Sequence, residues 1–230
     1  MFKPLNASVR LACAVWLLLA SSSMAHADVT NGSFETPVVP ANSFTLFPVG
    51  GSPVIPGWTV IGPPGTDVGI VDKGFIQNSV TFAAGDGNQW LDLTGFNSNS
   101  TEGVAQSVTT IPGHTYQLSY LIGNTTGGGI FGTTSTVNVS VSGGPTFSDT
   151  NSTSSAATLN WPQFTHTFVA TGNTTTLSFI NGDPSTDNSN GLDGIVFTDL
   201  GVVGAVPEPA SGALLVSGLL SLGILARRKK

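Results

Sequence analysis

The chain has 230 residues, only 9% of them charged, and a formal net charge of −6. That total hides an asymmetry: residues 28–206 carry twelve acids and one base, Lys73, a net charge of −11. This segment lacks the clustered Lys and Arg that neutralise nucleic-acid phosphates or clamp a phosphate or carboxylate ligand.

The N-terminus has the three parts of an export signal. Lys3 and Arg10 supply positive charge, residues 11–20 are apolar, and Ala25-His26-Ala27 is a small-x-small cleavage site. We therefore expect a signal peptide over residues 1–27 and a mature chain from Asp28. The single cysteine, Cys13, lies inside it, which leaves the mature chain no disulfide, thiol nucleophile or cysteine metal site.

Within residues 28–206 no stretch keeps a 3.6-residue apolar period, whereas alternation of period two recurs. Residues 37–56, bounded by prolines, read as a long loop. In residues 89–94, Leu91 and Leu93 suit a core, which turns Trp90 and Asp92 outward together. Further strands are marked by Tyr116, Leu118, Tyr120 and Ile122, and by Val137, Val139 and Val141. Residues 148–160 read as a polar loop. Phe164, His166 and Phe168, then Leu177 and Phe179, then Ile195 and Phe197, complete the series. Turn clusters at residues 63–65, 111–113, 127–129, 143–145 and 171–173 separate them. Such spacing predicts a single all-β domain over residues 28–201, an antiparallel sandwich.

Without basic partners, clustered carboxylates must be solvated, protonated or bound to cations. Asn181, Asp183, Asp187 and Asn190 crowd oxygens into one loop, though not with the spacing of an EF-hand. Trp90 and Asp92, with Gln89 beside them, form the pattern of a sugar platform, a ring to stack on and polar groups for hydroxyls; the alternative is that Trp90 packs beneath the proline-rich loop. No catalytic residues are expected. His114 and His166 lack metal-ligand spacing, and neither a Gly-x-Ser-x-Gly elbow nor a phosphate loop is present.

After a linker at residues 202–209 come 17 uncharged residues, 210–226, about the lower limit for a membrane-spanning helix. Arg227, Arg228, Lys229 and Lys230 then form a basic tail expected on the cytoplasmic side. Pro207-Glu208-Pro209, the apolar run and the basic cluster together resemble the PEP-CTERM sorting signal of Gram-negative bacteria. That resemblance implies processing by an exosortase, transient anchoring in the inner membrane, and delivery to the cell surface or extracellular matrix.

The body carries a second resemblance. Residues 31–37 (Asn-Gly-Ser-Phe-Glu-Thr-Pro), 55–60, 86–95, 116–118, 164–170 and 191–197 follow one another as in galactose-binding-like jelly rolls of the choice-of-anchor group. The resemblance implies a jelly-roll β-sandwich and a structural Ca²⁺ held between Glu35 and Asp193; otherwise Glu35 caps a turn and Asp193 bonds backbone amides. One departure is Gly194, where the family pattern has a second polar residue. The expected role is non-catalytic association with exopolysaccharide or another extracellular glycan. The alternatives are a structural or adhesive matrix protein and a weak glycoside-active enzyme.

Overall fold

A computed structural model describes residues 29–96 and 101–202. The expected signal peptide, membrane helix and basic tail, with the Pro207-Glu208-Pro209 motif, lie outside the described residues. Every regular element among the described residues is a strand. In chain order they are β1 (Phe44–Pro48), β2 (Thr59–Ile61), β3 (Asp67–Asp72), β4 (Ile76–Gln77), β5 (Val80–Thr81), β6 (Gln89–Asp92) and β7 (Gly103–Thr109). They continue with β8 (Thr115–Gly123), β9 (Ser135–Val141), β10 (Thr146–Asn151), β11 (Gln163–Val169), β12 (Thr174–Asn181) and β13 (Gly191–Gly201).

Two antiparallel sheets face each other. One has the order β1-β3-β6-β13-β8-β11, the other β10-β9-β12-β7-β2. From β6 to β13 the chain changes sheet at every connection but β9–β10, which gives a jelly-roll sandwich. Between the sheets lies the main core, where Phe47, Ile70, Leu91, Tyr116, Tyr120, Phe179 and Phe197 are fully buried. The period-two sets fall on the inner face as the alternation requires: Val137, Val139 and Val141 are buried, while Asn138 between them is exposed.

Two loop expectations are corrected. Residues 37–56 contain β1, which pairs with β3 from Phe44↔Val71 to Pro48↔Asp67. Pro48 disguised it, yet a proline is tolerated because β1 is an edge strand with one side unpaired. Residues 148–160 begin inside β10, whose outward-facing polar residues gave no apolar alternation.

A second apolar layer covers the outer face of the six-stranded sheet. Val71 and Trp90 from the sheet pack with Val80, Phe82, Phe131 and Leu159, and Phe75, Ala84 and Trp161 lie against them. The Trp161 ring rests on glycine: a Cβ placed on Gly123, Gly191 or Gly85 would stand 2.5, 2.7 or 2.8 Å from it. The indole N–H of Trp161 donates to the carbonyl of Ala83 (2.9 Å).

Gly194 has a local reason. The β13–β8 register slips between Asp193 and Val196, and Gly194 takes a left-handed φ of +54° in that bulge. The position favours backbone freedom over a second polar side chain.

Candidate functional site

Strand alternation places a cleft on the outer face of the six-stranded sheet. Phe47, Val68, Ile70 and Leu91 point into the sandwich, so Phe44, Leu46, Gly69, Val71, Trp90 and Asp92 point the other way. Register then aligns them in two rows across β1, β3 and β6: Phe44–Val71–Trp90 and Leu46–Gly69–Asp92. The second row runs on to Gly191 and Gly123, the bed of Trp161.

Gly69 makes the hollow. It stands between Leu46 and Asp92, and a Cβ there would meet nothing closer than 3.7 Å. Phe75, Phe82, Phe96, Ile130 and Phe131 supply most of the walls, and the enclosed volume is about 250 Å³. Phe96 is 70% exposed at the rim, and Phe44, 39% exposed, meets Phe75 edge-on with ring centres 5.4 Å apart. Gln77, Asn188 and Asp92 are the polar side chains of the lining.

Asp92 is the one acidic residue in that lining. Its Oδ1 accepts hydrogen bonds from the Thr94 hydroxyl (2.8 Å), the Thr94 amide (3.0 Å) and the Asn190 amide (3.2 Å). Burial nevertheless pushes its pKa up to about 6, because those bonds offset only part of the desolvation of the charge.

Trp90 does face the same side as Asp92, but it is fully buried rather than presented as a platform. Phe82 stacks on it at 6.0 Å, Trp161 meets it edge-on at 5.7 Å, and its indole N–H donates to the Phe82 carbonyl (2.9 Å). The cover is this second apolar layer, not the proline-rich loop. Gln89 is placed away from the cleft: its amide donates to the carbonyls of Phe34 (2.8 Å) and Pro37 (3.0 Å) and accepts from the Val39 amide (2.6 Å). It anchors the N-terminal segment.

Glu35 and Asp193 each accept hydrogen bonds from backbone amides of residues 85–89, the stretch that leads into β6, as the amide-bonding alternative expects. Glu35 Oε1 accepts from the amides of Asn88 (2.6 Å) and Gln89 (2.9 Å). Asp193 Oδ2 accepts from those of Gly85 (3.0 Å) and Asp86 (2.8 Å), and its Oδ1 from Gly194 (2.8 Å). Burial pushes the Asp193 pKa up to about 8 in spite of these donors. Among the described residues no group of three or more His, Cys, Asp or Glu side chains is placed to hold a metal.

The two histidines among the described residues pair with acids. His114 Nδ1 lies 2.9 Å from Asp199 Oδ2, and His166 Nε2 lies 2.6 Å from Asp149 Oδ2. Tyr120 also donates its hydroxyl to Asp149.

Comparison with known proteins places this architecture. The model of a family described as "Protein of unknown function (DUF642)" matches residues 27–192. The chain belongs to the DUF642 family. A second match, the PEP-CTERM protein-sorting motif, covers residues 205–230 and marks the DUF642 domain as part of an exported chain. No curated protein matches the sequence.

Among solved structures, a cyclase from Fischerella sp. TAU in complex with 4-(1H-indol-3-yl)butan-2-one is 20% identical, with a TM-score of 0.56 over 77% of this chain and 98% of that one. A Stig cyclase from the same organism, bound to (3Z)-3-(1-methyl-2-pyrrolidinylidene)-3H-indole, is 19% identical, with a TM-score of 0.56 over 78% and 100%. A xylan-binding domain from Paenibacillus barcinonensis is 17% identical, with a TM-score of 0.40 over 70% and 97%. At such identities the cyclases share the fold with this DUF642 domain.

The cleft was only partly visible in the sequence. Phe44 and Phe75 stand out as loop aromatics, and Gly69 interrupts the apolar run Val68–Val71. A glycine inside a strand marks room for another group. Phe96, Ile130 and Asn188 carry no local signal, because they reach the cleft from loops far apart in sequence.

Proposed function

We propose that this DUF642 domain is a non-catalytic module that captures a single sugar residue of an extracellular glycan in the cleft over Gly69. One observation carries the reading: a half-open hollow of about 250 Å³ combines ring edges and faces with three polar side chains on the outer side of a rigid sheet. Ligand pockets for drug-sized molecules start at roughly 300 Å³, so this one suits one ring system rather than a polymer laid along a groove. Phe44 and Phe75 would offer the apolar contact that a pyranose face needs, and Asp92, Gln77 and Asn188 are the polar side chains in the lining available to its hydroxyls. Trp90 acts as the floor that holds the hollow open. In this reading a chain with a PEP-CTERM tail meets such glycans outside the cell, after exosortase processing near Pro207-Glu208-Pro209 and release from the inner membrane of a Gram-negative bacterium.

The charge pattern narrows the ligand to neutral sugars. The segment has net charge −11, and its single basic side chain, Lys73, donates to Asn88 Oδ1 (2.6 Å). A uronate or sulfated sugar would meet Asp92 without a compensating cation. Glycoside cleavage needs two carboxyl groups flanking the bond, and the lining offers one.

The test is binding of the full chain to an array of neutral glycans, repeated with Phe44→Ala. Losing one aromatic contact of this kind costs about 1.4 kcal/mol, so we expect roughly tenfold weaker binding. Equal binding by a folded Phe44→Ala variant contradicts the site. Self-association with no glycan bound by either protein supports the adhesive alternative.

Calcium at Glu35 and Asp193 belongs to the same proposal as a structural element. Asp193 is fully buried, the one lysine of the segment is engaged with Asn88, and hard oxygens suit Ca²⁺. The expected outcome is a calcium-dependent rise in melting temperature that Glu35→Gln abolishes. No change in wild-type melting on adding calcium contradicts it.

A further inference from the structure

A buried polar cluster lies behind the wall of the cleft and is joined to it by the Asn190 amide on Asp92. Asp183, Asp187, Ser189 and Asn190 are each at most 3% exposed. Asp183 and Asn190 are side by side because they share partners. Asp183 Oδ1 accepts from the Thr136 amide (2.6 Å), and the Asn190 amide group donates to the Thr136 carbonyl (2.5 Å). The Asp183 amide (3.1 Å) and the Asn190 side chain (2.7 Å) also both donate to Asn181 Oδ1. Ser189 donates its amide to Asp187 Oδ1 (3.3 Å).

Three oxygens in this cluster are buried without a hydrogen-bond partner: Asp183 Oδ2, Ser189 Oγ and Asn190 Oδ1. Leaving a buried polar atom unmatched is costly, and a buried carboxylate oxygen more so. No basic group answers the charge. Lys73 is engaged with Asn88, His114 with Asp199 and His166 with Asp149, and no other Lys, Arg or His occurs in residues 29–202. Burial, together with the neighbouring Asp187 charge, pushes the Asp183 pKa up to about 8, and burial raises Asp187 to about 7. The partnerless Asp183 Oδ2, Ser189 Oγ and Asn190 Oδ1 are thus buried acceptors that a bound cation would satisfy.

We infer that Asp183, Asp187, Ser189 and Asn190 form a binding site for a hard divalent cation of the calcium class, separate from the loop at residues 85–89. Two carboxylates, an amide oxygen and a hydroxyl are hard oxygen donors of both charged and neutral kinds, as calcium takes in its shell of about six to eight oxygens. The site also has a consequence for the cleft. Asp187 presses on Gly132, where a Cβ would collide with its carboxylate, and Asn188 donates to the Ile130 carbonyl (2.9 Å). Ile130 and Phe131 are cleft wall. A cation fixing residues 183–190 therefore braces that wall, whether or not a glycan is the ligand.

The test is calcium binding by the full chain, stripped of divalent cations and titrated with CaCl₂ alone. Asp183→Asn and Asp187→Asn keep side-chain size, and the amide oxygen introduced by Asp183→Asn still accepts from the Thr136 amide, so both should stay folded. We expect each variant to bind one calcium fewer per chain than wild type, while Glu35→Gln keeps the ion assigned here. Hydrogen exchange at residues 130–136 and 183–190 should slow with calcium in wild type and not in Asp183→Asn. Unchanged calcium stoichiometry in both Asp variants, or a wild type that binds none, overturns the inference.

Discussion

Trp90 shows how much one residue's role depends on what covers it. Its side of β6 follows from the alternation with Leu91, but its burial follows from Phe82 and Trp161. Trp161 lies 71 positions away (161 minus 90), and no local pattern in residues 89–94 reports it. As the shared wall of the second apolar layer, Trp90 is a stability residue. Trp90→Ala should destabilise by about 3–5 kcal/mol, the usual cost of emptying a buried large aromatic site, seen as a lower midpoint in urea unfolding. A loss under about 1 kcal/mol with weaker glycan binding would return Trp90 to the role of stacking platform. Asp92 faces the cleft as the alternation implied, whereas Gln89 holds backbone groups of the N-terminal segment. An amide in a strand serves either use, and only its neighbours decide.

At the scale of elements, strands with one buried face were legible. β8, β9, β11, β12 and β13 all appeared as alternating apolar sets, because the sandwich core imposes period two on them. β1 was hidden by Pro48 at its end, and β10 by polar residues that leave it no apolar alternation. Edges also need closing. Asp149 on β10 accepts from Tyr120 on β8 and lies 2.6 Å from His166 Nε2 on β11, so one carboxylate ties the edge of the five-stranded sheet to the other sheet. Phe147 stacks on His166 with centres 3.8 Å apart. Burial, then the adjacent Asp149 carboxylate, hold the Tyr120 phenol well above its ordinary pKa, so it stays a donor. Asp149→Ala leaves that buried hydroxyl without its acceptor. We expect about 1–3 kcal/mol of destabilisation and faster hydrogen exchange in β10 and β11 than in β8. Uniform exchange across all three strands would show that the clasp is not local.

The described residues form a two-sheet body, and the proposed cleft lies on the outside of one sheet. Fold class and address were legible because they repeat or are local: strand periodicity along the body, and a short motif at the tail matched over residues 205–230. The cleft was not, because it is assembled from β1, β3, β6, the segment 75–82 and loops at residues 95–96, 130–131 and 188. Its geometry nevertheless offers a clean handle. Gly69 has space above it and no strained backbone angle, so a larger side chain should fill the hollow without disturbing the sandwich.

Neutral-glycan binding by the full chain, compared side by side with Gly69→Val at matched thermal stability, tests the central claim most directly. Saturable binding by wild type and its loss by at least tenfold in Gly69→Val, about 1.4 kcal/mol, is the outcome required if one sugar residue sits over Gly69. Equal affinity in the two proteins would place the ligand elsewhere.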